Sequence, residues 1–411
     1  MIEKPILVQK FGGTSVSTVE RRMQVVEHVR RARGEGYQVA IVVSAMGRRG
    51  DPYATDTLLD LLRGDGGPVD GRDYDMIFIC GEIISTTMMS HILKREGIPA
   101  VGLAGAQALI YADGHHGEAE ILEIDPARVQ SHLERGEVPV ITGCQGVVPN
   151  TGDYTTLGRG GSDTSAVALG VALNASKVEI YSDVEGVAIA DPRIVPQARL
   201  LDRISYDKMY EMARYGAAVV HHRAVRTGQE GRVPIVVRCT FSMAPGTTVA
   251  EVQDRFSIVG IATLGPLETV VLSEDLVGPK VREGWERRRG IMSLIDRDIG
   301  ALVLAAPSQK SRELKSAADE VGVTSRQVLN DRCWISLIGE SEALQERSSE
   351  DRELLECQGI EAMYHEISDQ RSTYVISAVD EARAVRALYD DIFGERGSPW
   401  RCSESGQVFE P

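Results

Sequence analysis

Three short stretches of this sequence carry residues able to handle a phosphate. The first, Lys10-Phe11-Gly12-Gly13-Thr14-Ser15, follows the apolar run Ile6–Gln9. A lysine at a strand end supplies positive charge, and two glycines let backbone amides approach an anion. The residue order differs from a Walker A loop, whose lysine follows the glycines, and from a G-x-G-x-x-G fingerprint. Taken alone, Gly12-Gly13 reads equally well as a tight connection after a strand.

The second stretch, Thr155-Thr156-Leu157-Gly158-Arg159-Gly160-Gly161-Ser162-Asp163, runs into an apolar helix expected over Ser162–Asn174. Three glycines beside an arginine make a backbone nest with a bidentate anion clamp, and a helix start offers free amides. Ser162 is the expected N-cap. Asp163, in the first turn, suits either of two roles: stabilising the helix dipole, or orienting a lysine or Mg²⁺. The third stretch is Ser182-Asp183-Val184-Glu185-Gly186 with Asp191-Pro192-Arg193. Asp183 follows the expected strand Lys177–Tyr181, at the end where open α/β sheets bind ligands. A glycine turn and a proline turn account for the same residues. Glu82 interrupts an otherwise apolar helix, Ile79–Met89. Facing inward it needs a cation, such as an ammonium ligand; facing outward it is simply solvated.

The elements that must position these groups alternate. Ile6–Gln9, Gln38–Val43, Ala100–Leu103, Pro139–Thr142, Lys177–Tyr181 and Pro234–Arg238 read as strands. Thr18–Arg33, Tyr74–Arg95 and Pro126–Arg135 read as helices between them. Such alternation predicts an α/β sandwich with a mostly parallel central sheet over residues 1–245. Near Pro245-Gly246 the texture shifts to shorter strand-like runs, Ser257–Ala262, Gly300–Leu304, Trp334–Ile338 and Thr373–Ser377, with helices at Ser311–Glu320 and Glu381–Ile392. A second, α+β region over 257–395 follows, then a loose tail over 396–411 rich in Gly, Ser and Pro.

Composition narrows the function classes. The chain has 411 residues, 43% hydrophobic and 26% charged, and a formal net charge of -15. That balance argues against nucleic acid or an anionic membrane as the main partner, because both need a basic face. Cys80, Cys144, Cys239, Cys333, Cys357 and Cys402 are scattered, as expected for reduced thiols and not for a disulfide framework or a zinc site. The N-terminus lacks a signal-peptide pattern, and no apolar stretch approaches the roughly 20 residues that span a bilayer. A cytoplasmic protein is expected.

KFGGTSV at Lys10–Val16, SAMG at Ser44–Gly47, Gly81-Glu82, GRGGSDTSA at Gly158–Ala166, and SDVEG with ADPR at Ser182–Gly186 and Ala190–Arg193 occur in one order. In order and spacing they resemble the aspartate kinases of the amino-acid-kinase family. Gly50–Leu59, GDPYATDTLL, resembles the monofunctional bacterial members in particular. The resemblance covers residues 4–250 and fades beyond 257, where that family carries two small ACT regulatory domains. It implies a three-layer sandwich plus divergent ACT-like domains, with ATP, Mg²⁺ and L-aspartate as ligands. Assembly as a homodimer or higher homo-oligomer through the ACT-like region is implied as well.

Residue by residue, the resemblance gives Lys10 and Asp163 the catalytic roles: Lys10 reaches the phosphates and Asp163 organises the site. Gly12, Gly13, Thr14 and Ser15 join Lys10 at the nucleotide, with Ser182, Asp183 and Arg193 on the same side. Arg159 holds the substrate α-carboxylate within Gly160-Gly161-Ser162, Glu82 and Thr55 recognise its amino end, and Ser44 lines that pocket. No protein-held metal is expected.

Departures matter too. Where the family carries G-A-K-V, this chain has Gly216-Ala217-Ala218-Val219, so a cation near the nucleotide is missing, with Arg214 or Arg223 as substitutes. Ala188 replaces a larger residue against the nucleotide. The tandem His221-His222 invites a metal reading, opposed by the different helix faces of adjacent residues. Two alternatives stand beside an active aspartate kinase. One is a kinase of glutamate or acetylglutamate, disfavoured by the GRGGSD loop and Thr55. The other is a weakened regulatory paralogue, motivated by Ala188 and Ala218. Finally, Thr263–Glu268 lacks the usual effector turn, and Glu340–Glu356 is charge-dense where a Gly-rich effector turn is usual. Weak feedback by lysine, threonine or diaminopimelate is therefore expected.

Overall fold

The computed structural model describes residues 4–64, 66–273, 281, 285, 291–320 and 327–394. The tail expected over 396–411 lies outside them. Two compact units emerge from the packing. The first comprises Met1–Val187, Leu200–Tyr210 and Ala218–Gln253; the second comprises Ala188–Arg199, Glu211–Ala217 and everything from Asp254. This division is not the linear one at 245/257, because two segments of the expected first region pack with the second unit.

Aliphatic runs build the first unit's eight-stranded sheet. In spatial order its strands are Arg203–Ser205, Thr247–Ala250, Ile235–Cys239, Lys177–Ser182, Ile6–Phe11, Gln38–Val43, Val138–Thr142 and Ala100–Leu103. Every pairing is parallel except that of Ile235–Cys239 with Thr247–Ala250. Strands buried on both faces carry near-continuous apolar runs, which is why Gln38–Val43 was legible. Alternate residues Leu7, Phe11, Val39, Ile41 and Val43 share a core with Val25, Val26, Val29, Met89, Ile92 and Leu93 from helices Val19–Gly34 and Gly71–Arg95. Their neighbours in sequence point to the opposite face, where helix Gly161–Ala172 lies against the two central strands. A smaller four-stranded sheet, ordered Ile121–Ile124, Ile110–Ala112, Gln145–Val147, Tyr154–Thr156, was not expected from the sequence.

Gly71–Arg95 has the length and apolar composition to cross a membrane, contrary to the expectation that no stretch would. Half of that apolar window is buried inside the protein, and Asp75, Glu82, Ser85 and Thr86 are buried with it. It is packed as a core helix.

The second unit is an antiparallel six-stranded sheet with helices. Its spatial order is Met292–Asp296, Ala301–Ala306, Ile258–Ser273, Gln327–Gly339, Arg371–Ser377, Tyr364–Ile367. The long strands Ile258–Ser273 and Gln327–Gly339 pair with each other, so both halves of the region share one sheet. Thr263–Glu268, expected as a loop, lies inside the first of these strands. A register shift between Leu264 and Leu267 accommodates Gly265-Pro266, where proline has no amide to donate. The charge-dense run is helix Ser341–Cys357, which buries Leu344, Asp351 and Leu355. Spacings of seven and four place those three on one helical face, and most of the charges lie on the others.

A buried cation ties the recruited segment Glu211–Ala217 into this unit. Arg371 Nη2 lies 2.6 Å from Glu366 Oε2 and its Nε lies 3.2 Å from Glu211 Oε2, with the side chain only 7% exposed. The guanidinium sits 4.1 Å above the Tyr215 ring, which stacks in turn on Trp334. Removing the cation strands two carboxylates, so Arg371→Ala is expected to cost about 3–5 kcal/mol. The midpoint of chemical denaturation measures this, and a loss below about 1 kcal/mol, the scale of an exposed pair, contradicts it.

Candidate active site

Lys10 lies within the central strand, not after it, opposite Val42 and Ile180 of the flanking strands. Strand pairing continues through Phe11 because that ring is fully buried. The Lys10 ammonium lies 2.6 Å from Asp163 Oδ1, and both side chains are 12% exposed. The other oxygen, Oδ2, accepts the backbone N–H of His221 at 3.2 Å. Of the two roles open to Asp163, orienting a lysine is therefore the one the geometry shows.

Asp163 occupies the first turn of helix Gly161–Ala172, whose N-cap is Gly160 with φ +69°. Ser162, the expected cap, falls inside the turn instead. The left-handed cap conformation selects glycine. A Cβ on Gly160 would also stand 2.2 Å from the His221 ring. His221 caps the next helix, His222–Glu230, which explains the tandem histidines without a metal. No group of three or more His, Cys, Asp or Glu side chains able to hold a metal occurs among the described residues.

The first glycine loop is equally tight. A Cβ on Gly13 would lie 2.5 Å from Ala45 O and 2.8 Å from Gly47 O, and Gly13 O accepts the Gly47 N–H at 3.0 Å. Gly12 is open on the side of the Lys10 ammonium, 3.6 Å from where its Cβ would be. Ser15 is fully buried with its hydroxyl on Thr240 Oγ1 at 2.6 Å, so it serves the fold and not the expected nucleotide contact. The Thr14 carbonyl accepts from Arg21 Nη1 at 2.9 Å.

Glu82 faces inward. Its Oε1 accepts the Ala45 N–H at 3.3 Å, next to half-buried Ser44. Its Oε2 is buried without a hydrogen-bond partner among the described residues. Burial pushes the carboxyl up to about 8, against the opposing pull of the Ala45 amide and the Thr55 side chain. Thr55 starts helix Thr55–Gly64, and its side chain acts on the Glu82 carboxyl.

Arg159 is exposed in the second glycine loop and has no ion pair among the described residues. Its neighbours are braced instead by Arg223, whose Nη1 and Nη2 donate to Leu157 O and Ala119 O, each at 2.9 Å. Arg223 therefore does not replace the missing lysine at exposed Ala218. Arg214 belongs to the second unit, with its guanidinium over Tyr215. At the adjacent strand end, Ser182 Oγ accepts the Val184 N–H at 3.3 Å, and Asp183 Oδ2 pairs with Arg48 Nη2 at 2.9 Å. Arg193, expected at the nucleotide, lies in the second unit's segment Ala188–Arg199 and is engaged by Asp191 Oδ2 at 2.6 Å.

Lys10, Gly12, Gly13, Ser44, Ser182 and Asp183 thus converge at the carboxyl ends of three adjacent parallel strands. Asp163 joins them through its ion pair, and Glu82 through Ala45. Sequence reasoning missed the His221 amide, and it weighed Arg223 only as a substitute for the missing lysine and not as a brace of the glycine loop. Neither carries a sequence signal, since a histidine cap is unusual and an arginine that binds carbonyls looks like any other.

Comparison with known proteins bears on the family and the fold. A family model described as "Amino acid kinase family" matches residues 5–239. Aspartokinase 1 of Bacillus subtilis (strain 168) is 46% identical over 244 residues, 59% of this chain and 60% of that protein. An aspartokinase of Thermus thermophilus is 45% identical over 259 residues, 62% of each chain. The chain thus matches less than two thirds of the length of these relatives. The crystal structure of aspartate kinase from Synechocystis is 30% identical, covering 96% of this chain and 71% of that one, with a TM-score of 0.54. E. coli aspartokinase III in complex with aspartate and ADP shares the fold at 22% identity, with a TM-score of 0.79 over 94% of this chain and 100% of that one.

The inward carboxyl has a measurable signature. Its folded value lies above the ordinary 4.5, so the folded state binds the proton more tightly. That contribution to stability is complete below about 4.5 and is lost as pH rises through about 8. Glu82→Gln cannot ionise and is expected to flatten this window in ligand-free protein. Denaturation midpoints across it provide the check, and an unchanged profile counts against the buried carboxyl.

Proposed function

The chain belongs to the amino acid kinase family, and on that premise we propose that it is an aspartate kinase, transferring the γ-phosphoryl group of MgATP to the β-carboxylate of L-aspartate. The observation that carries the choice of substrate is Glu82 Oε2, buried beside Thr55 and without a hydrogen-bond partner among the described residues. A free α-ammonium supplies the cation that oxygen needs. Acetylglutamate, whose amine is acylated, supplies none. The likeness to aspartokinases at 45–46% identity supports the same substrate.

The chemistry needs no general base. A β-carboxylate with an ordinary pKa of about 3.9 is already ionised at neutral pH. Its oxygen forms the new bond to the γ-phosphorus as the bond to the bridging oxygen breaks, releasing ADP and leaving an acyl phosphate. The difficulty is bringing one anion onto another, which calls for alignment and charge screening. Lys10, held by Asp163, supplies a fixed cation beside the open Gly12 turn. Arg159, exposed and without an ion pair among the described residues, takes the substrate α-carboxylate in a bidentate fork. The Mg²⁺ of the nucleotide substrate would screen the charge of the phosphates, and no side chain of this chain is assigned to hold it.

In this reading the second unit is a divergent ACT-like pair that joins subunits into a homo-oligomer. The strand through Thr263–Glu268 and the helix Ser341–Cys357 occupy the places where effector turns are expected, which supports weak feedback.

Two measurements test the proposal. Lys10→Ala is expected to lower aspartyl hydroxamate formation about 10²–10³-fold, and Arg159→Ala to raise the aspartate KM far more than the ATP KM. Absence of hydroxamate above the Lys10→Ala background refutes the activity, and equal rises in both constants move Arg159 to the nucleotide. Lysine, threonine and diaminopimelate, singly and in pairs at subsaturating aspartate, are expected to inhibit little; strong inhibition at submillimolar levels refutes weak feedback.

A further inference from the structure

Asp75 is fully buried near the start of helix Gly71–Arg95, far in sequence from either glycine loop. Burying a carboxyl group is unfavourable unless its oxygens are satisfied, and here each is bonded more than once. Oδ2 lies 2.6 Å from His116 Nδ1, both oxygens accept the Gly117 N–H at 3.1 and 3.2 Å, and Oδ1 accepts the Thr156 hydroxyl. One side chain therefore fastens two pieces of chain to the helix, which also meets them through Arg72 on Asp153 and through Phe78 packed against Ala119 and Leu157. One piece is the turn 113–117. The other is the last residue of strand Tyr154–Thr156, from which the loop Leu157-Gly158-Arg159-Gly160 departs.

The two pieces also bear on each other. Ala119 N donates to Thr156 O at 2.8 Å and Thr155 Oγ1 donates to Asp113 O at 2.9 Å. The Gly117 carbonyl oxygen packs so closely on Gly158 that a Cβ there would lie 2.9 Å away. The loop has further braces: Leu157 N–H donates to Cys144 O at 3.0 Å, Cys144 Sγ to Gly158 O at 3.1 Å and Arg223 to Leu157 O, and the His221 ring lies close against Gly160. Arg159 itself has no ion pair to fix it among the described residues, so its direction is set by the backbone it stands on.

We propose that Asp75, acting through Thr156, His116 and Gly117, is the positioning residue for the Gly158–Gly160 loop, and thereby sets where Arg159 meets the substrate carboxylate. The assignment of Arg159 rests on the aspartate kinase reading; the fastening of the loop does not. Asp75 touches no reacting atom. Its effect falls on substrate alignment, to which rate and KM respond steeply.

Thr156 gives the cleanest test, because Thr156→Val keeps the shape and removes only the hydroxyl, whereas Thr156→Ser keeps the hydroxyl. Asp75→Asn, which turns one acceptor into a donor, is the stronger variant. Hydrogen exchange of the peptides covering 113–119 and 155–161 is expected to quicken about tenfold or more in Thr156→Val and Asp75→Asn. Exchange in strand Gln38–Val43 stays at the parent rate, and Thr156→Ser behaves as the parent. In the hydroxamate assay the first two variants raise the aspartate KM about tenfold while the ATP KM moves less than about twofold. Identical exchange in Thr156→Val and Thr156→Ser overturns the proposal, as does an equal rise in both KM values. If Asp75→Asn does not fold, the Thr156 pair decides alone. A parent protein inactive toward aspartate refutes the kinase reading, and the exchange comparison then still decides whether Asp75 holds the loop.

Discussion

The ion pair between Lys10 and Asp163, 2.6 Å long and mostly out of water, is the constraint around which the first unit is arranged. At an effective dielectric near 20 its gross attraction is on the order of 6 kcal/mol. Much of that is offset by stripping two charges of water, so the pair survives only where other groups complete it. The completion is visible on the Asp163 side, where the His221 amide takes the second oxygen. It also dictates backbone spacing. The lysine comes from a central strand and the aspartate from a helix start, so the loops beside them must approach to distances that exclude a Cβ. Gly13 against Ala45 O, and Gly160 against the His221 ring, are the places where this restricts the choice of residue.

Glu82 shows the opposite arrangement in the same unit. Its carboxyl is dehydrated, pushed up to about 8 by burial, and leaves one oxygen without a hydrogen-bond partner among the described residues. A fold optimised for stability alone would place an apolar residue or a partner there. Unsatisfied buried groups are rare enough to need a reason, and a cationic ligand provides one. Ser15 makes the contrast plain. Both are buried polar residues next to phosphate-loop motifs, but Ser15 has its partner within the protein, and so reads as structure.

Legibility from sequence followed from how many physical causes a pattern has. Gln38–Val43 and Ala100–Leu103 were readable to the residue because little besides burial on both faces of a sheet calls for so short and apolar a run. The two glycine loops were readable because glycine beside a cation after a strand serves few purposes. Three-residue strands such as Ile110–Ala112 and Gln145–Val147 are too short for any period to register. Gly265-Pro266 carried the ordinary signature of a turn, which strand pairing on both sides and a register shift overrode. Arg193 had a plausible motif around it, yet its partner is the aspartate two residues before it.

The second unit was legible in its elements, with helix Ser311–Glu320 read to the residue, but not in its family likeness, and the reason separates shape from chemistry. A strand such as Ala301–Ala306 is buried along its whole length, a requirement that many apolar sequences satisfy. The glycine loops need particular atoms at particular points, and few sequences provide them. Sequence likeness accordingly concentrates in a matched stretch of 244 residues, whereas likeness of fold to E. coli aspartokinase III extends over 94% of the chain at 22% identity. Pairings between distant residues tie the recruited segments into the second unit. Arg371 reaches Glu211 across 160 positions, and Ile261 N–H donates to Ile189 O at 2.7 Å. No local pattern announces such contacts. They draw Ala188–Arg199 and Glu211–Ala217 out of the first unit, and the chain re-enters it at Ala218, three residues before the His221 whose amide completes Asp163. The segment that the sequence presented as one continuous region is thus divided by packing between two units.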